Sequence, residues 1–201
     1  NATYYDGNNV VLIVGETASF NTKEKSILLI KSDTNGVVAW SKVYEYKYYQ
    51  IPNAILRAQD GGYLIVGEMY PKSGPAELGF MMKVDVNGNF MWERTYDNGG
   101  NMAEALSAKT TREGGVIFVG RAEETLASTQ SFFSMNSEKR FMYVVKSDEK
   151  GNILWSRKYS SGNEIRLSRA NDVYPMKNGG YVVVGEFNKR ERPEDFDIAV
   201  V

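Results

Sequence analysis

Five residues recur three times at identical internal spacing: Lys31, Asp33, Gly36, Trp40 and Tyr44; Lys83, Asp85, Gly88, Trp92 and Tyr96; Lys146, Asp148, Gly151, Trp155 and Tyr159. The shared pattern is K-x-D-x-x-G-x-x-x-W-x-x-x-Y, and a chain that repeats it must build one structural unit several times over. A second pattern precedes each copy: Gly61-Gly62-Tyr63 running to Gly67, Gly114-Gly115-Val116 to Gly120, and Gly179-Gly180-Tyr181 to Gly185. Val10 to Gly15 is a variant, led by the longer turn Asp6-Gly7-Asn8-Asn9. The steps between Gly15, Gly67, Gly120 and Gly185 are 52, 53 and 65 residues.

Each period resolves into four strands. The first follows a polar loop and is short (Ala54–Ala58, Leu106–Thr110, Asn171–Met176). A glycine-containing turn leads into a wholly apolar second run (Val10–Val14, Tyr63–Val66, Val116–Val119, Tyr181–Val184), which predicts burial on both faces. The third strand (Ile27–Asp33, Phe80–Asp85, Phe141–Asp148) ends in a turn carrying Asn35-Gly36, Asn87-Gly88 or Lys150-Gly151, so a hairpin follows. The fourth strand holds the Trp and closes with the Tyr. Apolar spacing of three and four never persists long enough for a helix.

Four-stranded units at ~40–50-residue spacing are the signature of propeller blades. The expected fold is therefore all-β: a β-propeller of four-stranded antiparallel blades, with units near 1–49, 50–101, 102–165 and 166–201. The Trp strand occurs only three times, so the last blade is incomplete, and the simplest expectation is a segment of a larger propeller. On these motifs the chain resembles the bacterial propeller repeats of the form GGyvvvG…KxDxxGxxxWxxxY, found in exported proteins of Bacteroidetes-type bacteria and akin to the seven-bladed propeller repeats. That resemblance implies an exported or cell-surface protein that binds or scaffolds. A more distant likeness is to quinoprotein blades, which also place Asp and Gly before a Trp. Their longer Asp–Gly step and the Thr before the Gly are absent here, so no cofactor is expected.

Composition narrows the chemistry. The 201 residues contain no Cys and no His, which removes disulfides, thiolate or imidazole metal ligands, and Ser-His-Asp catalysis. With 24 Lys+Arg against 25 Asp+Glu there is no electrostatic pull towards nucleic acid. No segment reaches the ~18–20 apolar residues of a membrane helix. The lack of an initiator Met and of a leader at Asn1 reads as a mature or excised piece.

The repeated residues have two readings each. Trp40, Trp92 and Trp155 offer stacking surfaces, yet a large ring recurring once per blade suits packing between neighbouring blades. Asp33, Asp85 and Asp148 are expected to cap the turns that lead to Gly36, Gly88 and Gly151, since one Asp per turn falls short of calcium's six or more oxygens. Lys31, Lys83 and Lys146 are expected to lay their stems along apolar surface. Glu16, Glu68, Arg121 and Glu186 each follow the glycine taken to end the second strand, so they share one face. They are read as solvated strand ends or as a ring for a polar ligand; a glycosidase pair would need defined separation and one raised pKa.

The connections from second to third strand and from blade to blade lie together on one face and vary in length, and variable loops on a rigid scaffold are where binding sits. The longest, Arg121–Arg140, includes Phe132 and Phe133. Near these loops are Tyr46, Tyr48, Tyr49 and Tyr70, with Arg166, Arg169, Arg190 and Arg192. Aromatics with Arg are hot-spot chemistry, and exposed rings stack on sugars. The expectation is a non-catalytic module that binds a protein or glycan partner or serves as a scaffold in a larger cell-surface assembly. The rival is an enzyme with an axial active site, glycan-cleaving or quinone-dependent.

Overall fold

The described strands form four antiparallel sheets, each built from strands consecutive in sequence. The first holds β1 (Ala2–Tyr5), β2 (Val11–Thr17), β3 (Ser26–Ser32) and β4 (Val38–Tyr44). The second holds β5 (Tyr49–Arg57), β6 (Tyr63–Tyr70), β7 (Leu78–Val84) and β8 (Phe90–Tyr96). The third holds β9 (Ser107–Thr110), β10 (Val116–Thr125), β11 (Glu138–Ser147) and β12 (Ile153–Tyr159). The fourth holds β13 (Ile165–Pro175), β14 (Tyr181–Lys189) and β15 (Arg192–Val200). The structure is a computed structural model that describes residues 2–19, 26–45, 48–72, 77–99, 103–125, 138–160, 165–189 and 192–200. For 125, 138–139, 165–167, 187–189 and 192–200 the backbone alone is described. Among the described residues there is no helix, and thus none long and apolar enough to cross a membrane.

The third and fourth strands meet in the same way in three sheets. Asp33 Oδ1 accepts the backbone N–H groups of Asn35 and Val37, at 2.9 and 2.8 Å. Asp85 does the same for Asn87 and Asn89, and Asp148 for Lys150 and Asn152. Asn89 and Asn152 also donate side-chain N–H groups to the second carboxylate oxygen. These bonds, led by the Asn89 backbone for Asp85 and the Asn152 side chain for Asp148, hold both carboxyls below their ordinary range. A register shift flanks each of these three turns, at Lys31/Ser32, Lys83/Val84 and Lys146/Ser147.

The turn glycine is where one sheet grips the next. Gly88 has φ +77°, and a Cβ there would come within 2.9 Å of the Trp40 ring of the preceding sheet. The Tyr44 hydroxyl, four residues after that Trp, donates to Gly88 O at 2.7 Å. Gly151 repeats the arrangement with Trp92 at 3.0 Å and the Tyr96 hydroxyl at 2.9 Å. Trp40 also lies 6.5 Å from the Tyr63 ring, and Trp155 sits edge-on to Tyr181 at 6.1 Å. Each ring therefore covers the turn or second strand of the following sheet. Tyr96→Phe should destabilise the protein by about 1–2 kcal/mol, because the buried Gly151 carbonyl would lose its donor. Urea unfolding measures this; an unchanged midpoint would remove the hydroxyl from the lock.

Apolar faces fill the gaps. Leu12, Val14, Ile27 and Leu29 of the first sheet interdigitate with Ile65, Phe80 and Met82 of the second. Leu64, Val66 and Met81 meet Val116, Phe118 and Tyr143 of the third, and Ile117, Val119 and Val144 meet Val173 and Val183 of the fourth. The expectation of second strands buried on both faces therefore needs correcting for the outer two sheets. It holds for Tyr63–Val66 and Val116–Val119, but Ile13 is 42% exposed and Val184 38%. Burial of the second face depends on a neighbouring sheet, which these two lack among the described residues.

The strands are also longer than the sequence suggests. First strands reach Tyr49–Arg57 and Ile165–Pro175, and second strands run two to five residues past the glycine. The glycine is there for a close approach. A Cβ on Gly67 or Gly185 would lie 2.0 or 2.1 Å from the carbonyl oxygen of Ile51 or Arg169 on the first strand, and one on Gly120 would lie 2.1 Å from that of Glu104, just ahead of β9. A bulge at Pro52/Ala54 and another at Ala170/Asp172 accompany this approach in the second and fourth sheets. The first strands of all four sheets wall one cavity of about 550 Å³, to which Tyr4, Leu56, Lys109 and Tyr174 contribute. Ser107 donates to Asp172 at 2.5 Å and Lys109 pairs with it at 3.2 Å, joining the third sheet to the fourth there.

Candidate functional site

In an antiparallel meander the second-to-third and sheet-to-sheet connections emerge at the same end, and a polar cluster collects there between the second and third sheets. Beyond Gly67, β6 carries Glu68 and Tyr70, while β10 carries Arg121 and Glu123 beyond Gly120. Glu77 and Glu104 come from the connections just before β7 and β9. The close approach to Gly120 places Glu104 deep, with its backbone N–H donating to Arg121 O at 2.7 Å.

Arg121 is the hub. Its Nη2 hydrogen-bonds Glu104 Oε1 and lies 3.4 Å from Glu77 Oε2, while its Nε is 3.5 Å from Glu123 Oε1. Arg140 closes on Glu123 from the neighbouring strand. Arg169 Nε stands 4.0 Å from Glu104 Oε2, a buried oxygen with no hydrogen-bond partner among the described residues. Burial pushes the Glu77 carboxyl up to about 9, helped by its hydrogen bond with Glu68 and the nearby Glu104 charge, with Arg121 opposing. Burial also raises Glu104, again against Arg121. With its carboxyl near 9, Glu77 holds a proton at neutral pH beside Glu68 and Glu104.

Tyr70 forms the rim. It is 36% exposed, stacks on Tyr49 at 5.4 Å and 23°, and donates its hydroxyl to Glu77 Oε1 at 3.3 Å. Burial first, then the Glu68 and Glu77 charges, push that hydroxyl upward in pKa. The floor is therefore charged and hydrogen-bonding, and the wall aromatic. The carboxylates of Glu68, Glu77 and Glu104 lie within 4.8 Å of one another, a spacing that a metal ion can bridge. Arg121 touches two of them, Glu77 and Glu104, and so brings a positive charge of its own to the cluster.

Of the residues expected to bind a partner, the structure brings Tyr49, Tyr70 and Arg169 to this cluster. Tyr48 instead packs half-buried against the core between the first two sheets. Arg166 sits at a bulge of β13, at Ile165/Leu167, and its side chain is outside the described residues. Tyr46, Phe132, Phe133 and Arg190 also lie outside them, and Arg192 falls within β15. Glu68 and Arg121 join the site; Glu16 and Glu186 hold the same position in the outer sheets. Glu77, Glu104, Glu123 and Arg140 were not anticipated, since none belongs to either repeated motif.

No family model and no curated protein matches this sequence. Among solved structures the chain is similar to the crystal structure of a protein of unknown function from Bacteroides caccae, with 13% identity and a TM-score of 0.51. The match covers 96% of this chain and 58% of that one, so this chain spans under two thirds of that protein's length. At such identity the likeness speaks for the all-β fold alone.

Proposed function

We propose that the four sheets are blades of a β-propeller, and that the protein is a non-catalytic, exported binding module taking a glycan on its loop face. The propeller reading is supported by sheets that follow one another face to face and by first strands that share one cavity. The exported, cell-surface setting rests on the repeat resemblance. The observation that carries the ligand class is the Tyr49–Tyr70 stack, with the Tyr70 hydroxyl on Glu77 and the unsatisfied Glu104 Oε2 behind it. A sugar ring offers an apolar face for the tyrosine and hydroxyl donors for the carboxylates.

One observation favours the enzyme reading: Glu77 keeps its proton beside Glu68, as an acid and its partner would in glycoside cleavage. Against it, Glu77 is buried beneath Tyr70 and tied to Arg121. A glycan array followed by calorimetry decides between them. Tyr70→Ala and Arg169→Ala should each weaken the best-bound glycan roughly tenfold while that glycan is recovered intact. Cleavage of the glycan would favour the enzyme. Absence of binding, or binding indifferent to both substitutions, would overturn the site.

A further inference from the structure

Equivalent positions in the four sheets do not share the same surroundings. Residues two before the glycines of the second strands face the preceding sheet: Ile65, Phe118 and Val183 are 0, 1 and 3% exposed, whereas Ile13 of the first sheet is 42% exposed. Beside Ile13, Leu28 and Ile30 are half-buried, while their counterparts Phe80 and Met82, and Tyr143 and Val145, are buried. The turn glycines differ in the same sense. Gly88 and Gly151 each carry a Trp ring and accept a Tyr hydroxyl from the sheet before, whereas Gly36, with the same backbone at φ +83°, has no described atom within 4 Å of a Cβ placed on it.

We infer that the outer face of the first sheet, with Gly36 at its tip, is a dock for one kind of partner: another four-stranded blade whose fourth strand carries W-x-x-x-Y. The incoming Trp would lie flat on Gly36 and the Tyr hydroxyl would donate to Gly36 O, while the apolar second and third strands of that blade cover Ile13, Leu28 and Ile30. The argument is continuity with an established interface. Two copies of it, first-to-second and second-to-third, use the same residue types at the same positions, and Gly36 preserves the accepting half. The fourth sheet as described does not supply the donor, because its three strands include no Trp strand. Its own outward position, Val184, is 38% exposed where Val14, Val66 and Val119 are buried, so the opposite half of the interface is open too.

This inference rests on the blade reading, and the experiment separates the two. A copy of residues 50–106 is fused ahead of Ala2, which holds the position of Ser107: each pairs with the valine directly before the second-strand glycine, Val14 or Val119. The fusion should unfold in one transition, with a midpoint at least about 3 °C above that of the unfused chain. Gly36→Asn, tolerated by the turn because Asn accepts positive φ, should lower the fused midpoint by at least about 3 °C more than the unfused one. Ile13→Asp should likewise be tolerated in the unfused chain and disrupt the fusion. An added blade that melts separately, or a Gly36→Asn effect equal in both contexts, would overturn the dock. Gly88→Asn in the unfused chain is the control: should it cost no more than Gly36→Asn, the blade reading itself falls.

Discussion

Gly120→Ala should destabilise the protein by about 3 kcal/mol or more. The added methyl would sit 2.1 Å from Glu104 O, 2.8 Å from its carbonyl carbon and 3.2 Å from Ala105 Cα. All three are backbone atoms, so no side-chain rotation relieves the clash. The first strand of the third sheet would have to retreat, disturbing both Ser107 on Asp172 and Glu104 on Arg121. Gly67→Ala, 2.0 Å from Ile51 O, should behave alike. Gly79→Ala is the matched control: its nearest neighbours lie at 3.5 Å or beyond, so it should change stability by less than about 1 kcal/mol. Equal effects at Gly79 and Gly120 in denaturant unfolding would contradict the close-approach account.

Arg121→Met should cost about 3–5 kcal/mol at pH 8, because Glu104 would be left buried without the guanidinium that bonds it. At pH 5 the loss should shrink, since the Glu104 carboxyl, already raised by burial, takes up a proton readily. The unsubstituted protein carries the same signature. The Glu77 carboxyl lies near 9 in the folded state against an ordinary 4.5, so the folded state binds the extra proton between those values. Its contribution is fully present below about pH 4.5 and lost as pH rises towards about 9, with Glu104 adding in the same direction. The melting midpoint should therefore fall by several degrees from pH 5 to pH 9, and Glu77→Gln should flatten that slope. A midpoint that rises across this range would refute the assignment. Carboxyls held low, such as Asp60 on Lys83 and Asp85 in its turn, act below about pH 4 and leave this window clear.

Much of this architecture is legible in the sequence because it repeats. Asp33, Asp85 and Asp148 announce the hairpins through a spacing that only a capped turn explains, and the Trp and Tyr positions mark the outer strands. The glycines mislead in one respect. Gly67, Gly120 and Gly185 read as strand ends, yet the strands continue through them, because what demands glycine is a carbonyl from the first strand, which periodicity does not reveal. Burial is legible only where a neighbour exists: Val10–Val14 is as apolar as Tyr63–Val66, and differs in what covers it.

The site divides along the same line. Glu68, Arg121, Tyr49, Tyr70 and Arg169 stand near repeat-defined positions and could be singled out. Glu77 and Glu104 lie in connections of differing length, outside both repeated motifs. One signal was available for Glu104: counted from the second-strand glycine, it occupies the position of Ile51 and Arg169, whose carbonyls make the same close approach.

The lock of each sheet on the next is the claim on which the rest depends, and proton NMR reads it directly. Rings lying on Gly88 and Gly151 should shift their Hα resonances well upfield of those of Gly36, with NOEs from the Trp40 and Trp92 indoles to the respective glycines. Three glycines with the same unshifted Hα positions and no indole NOE would show that the sheets do not lean on one another in this way.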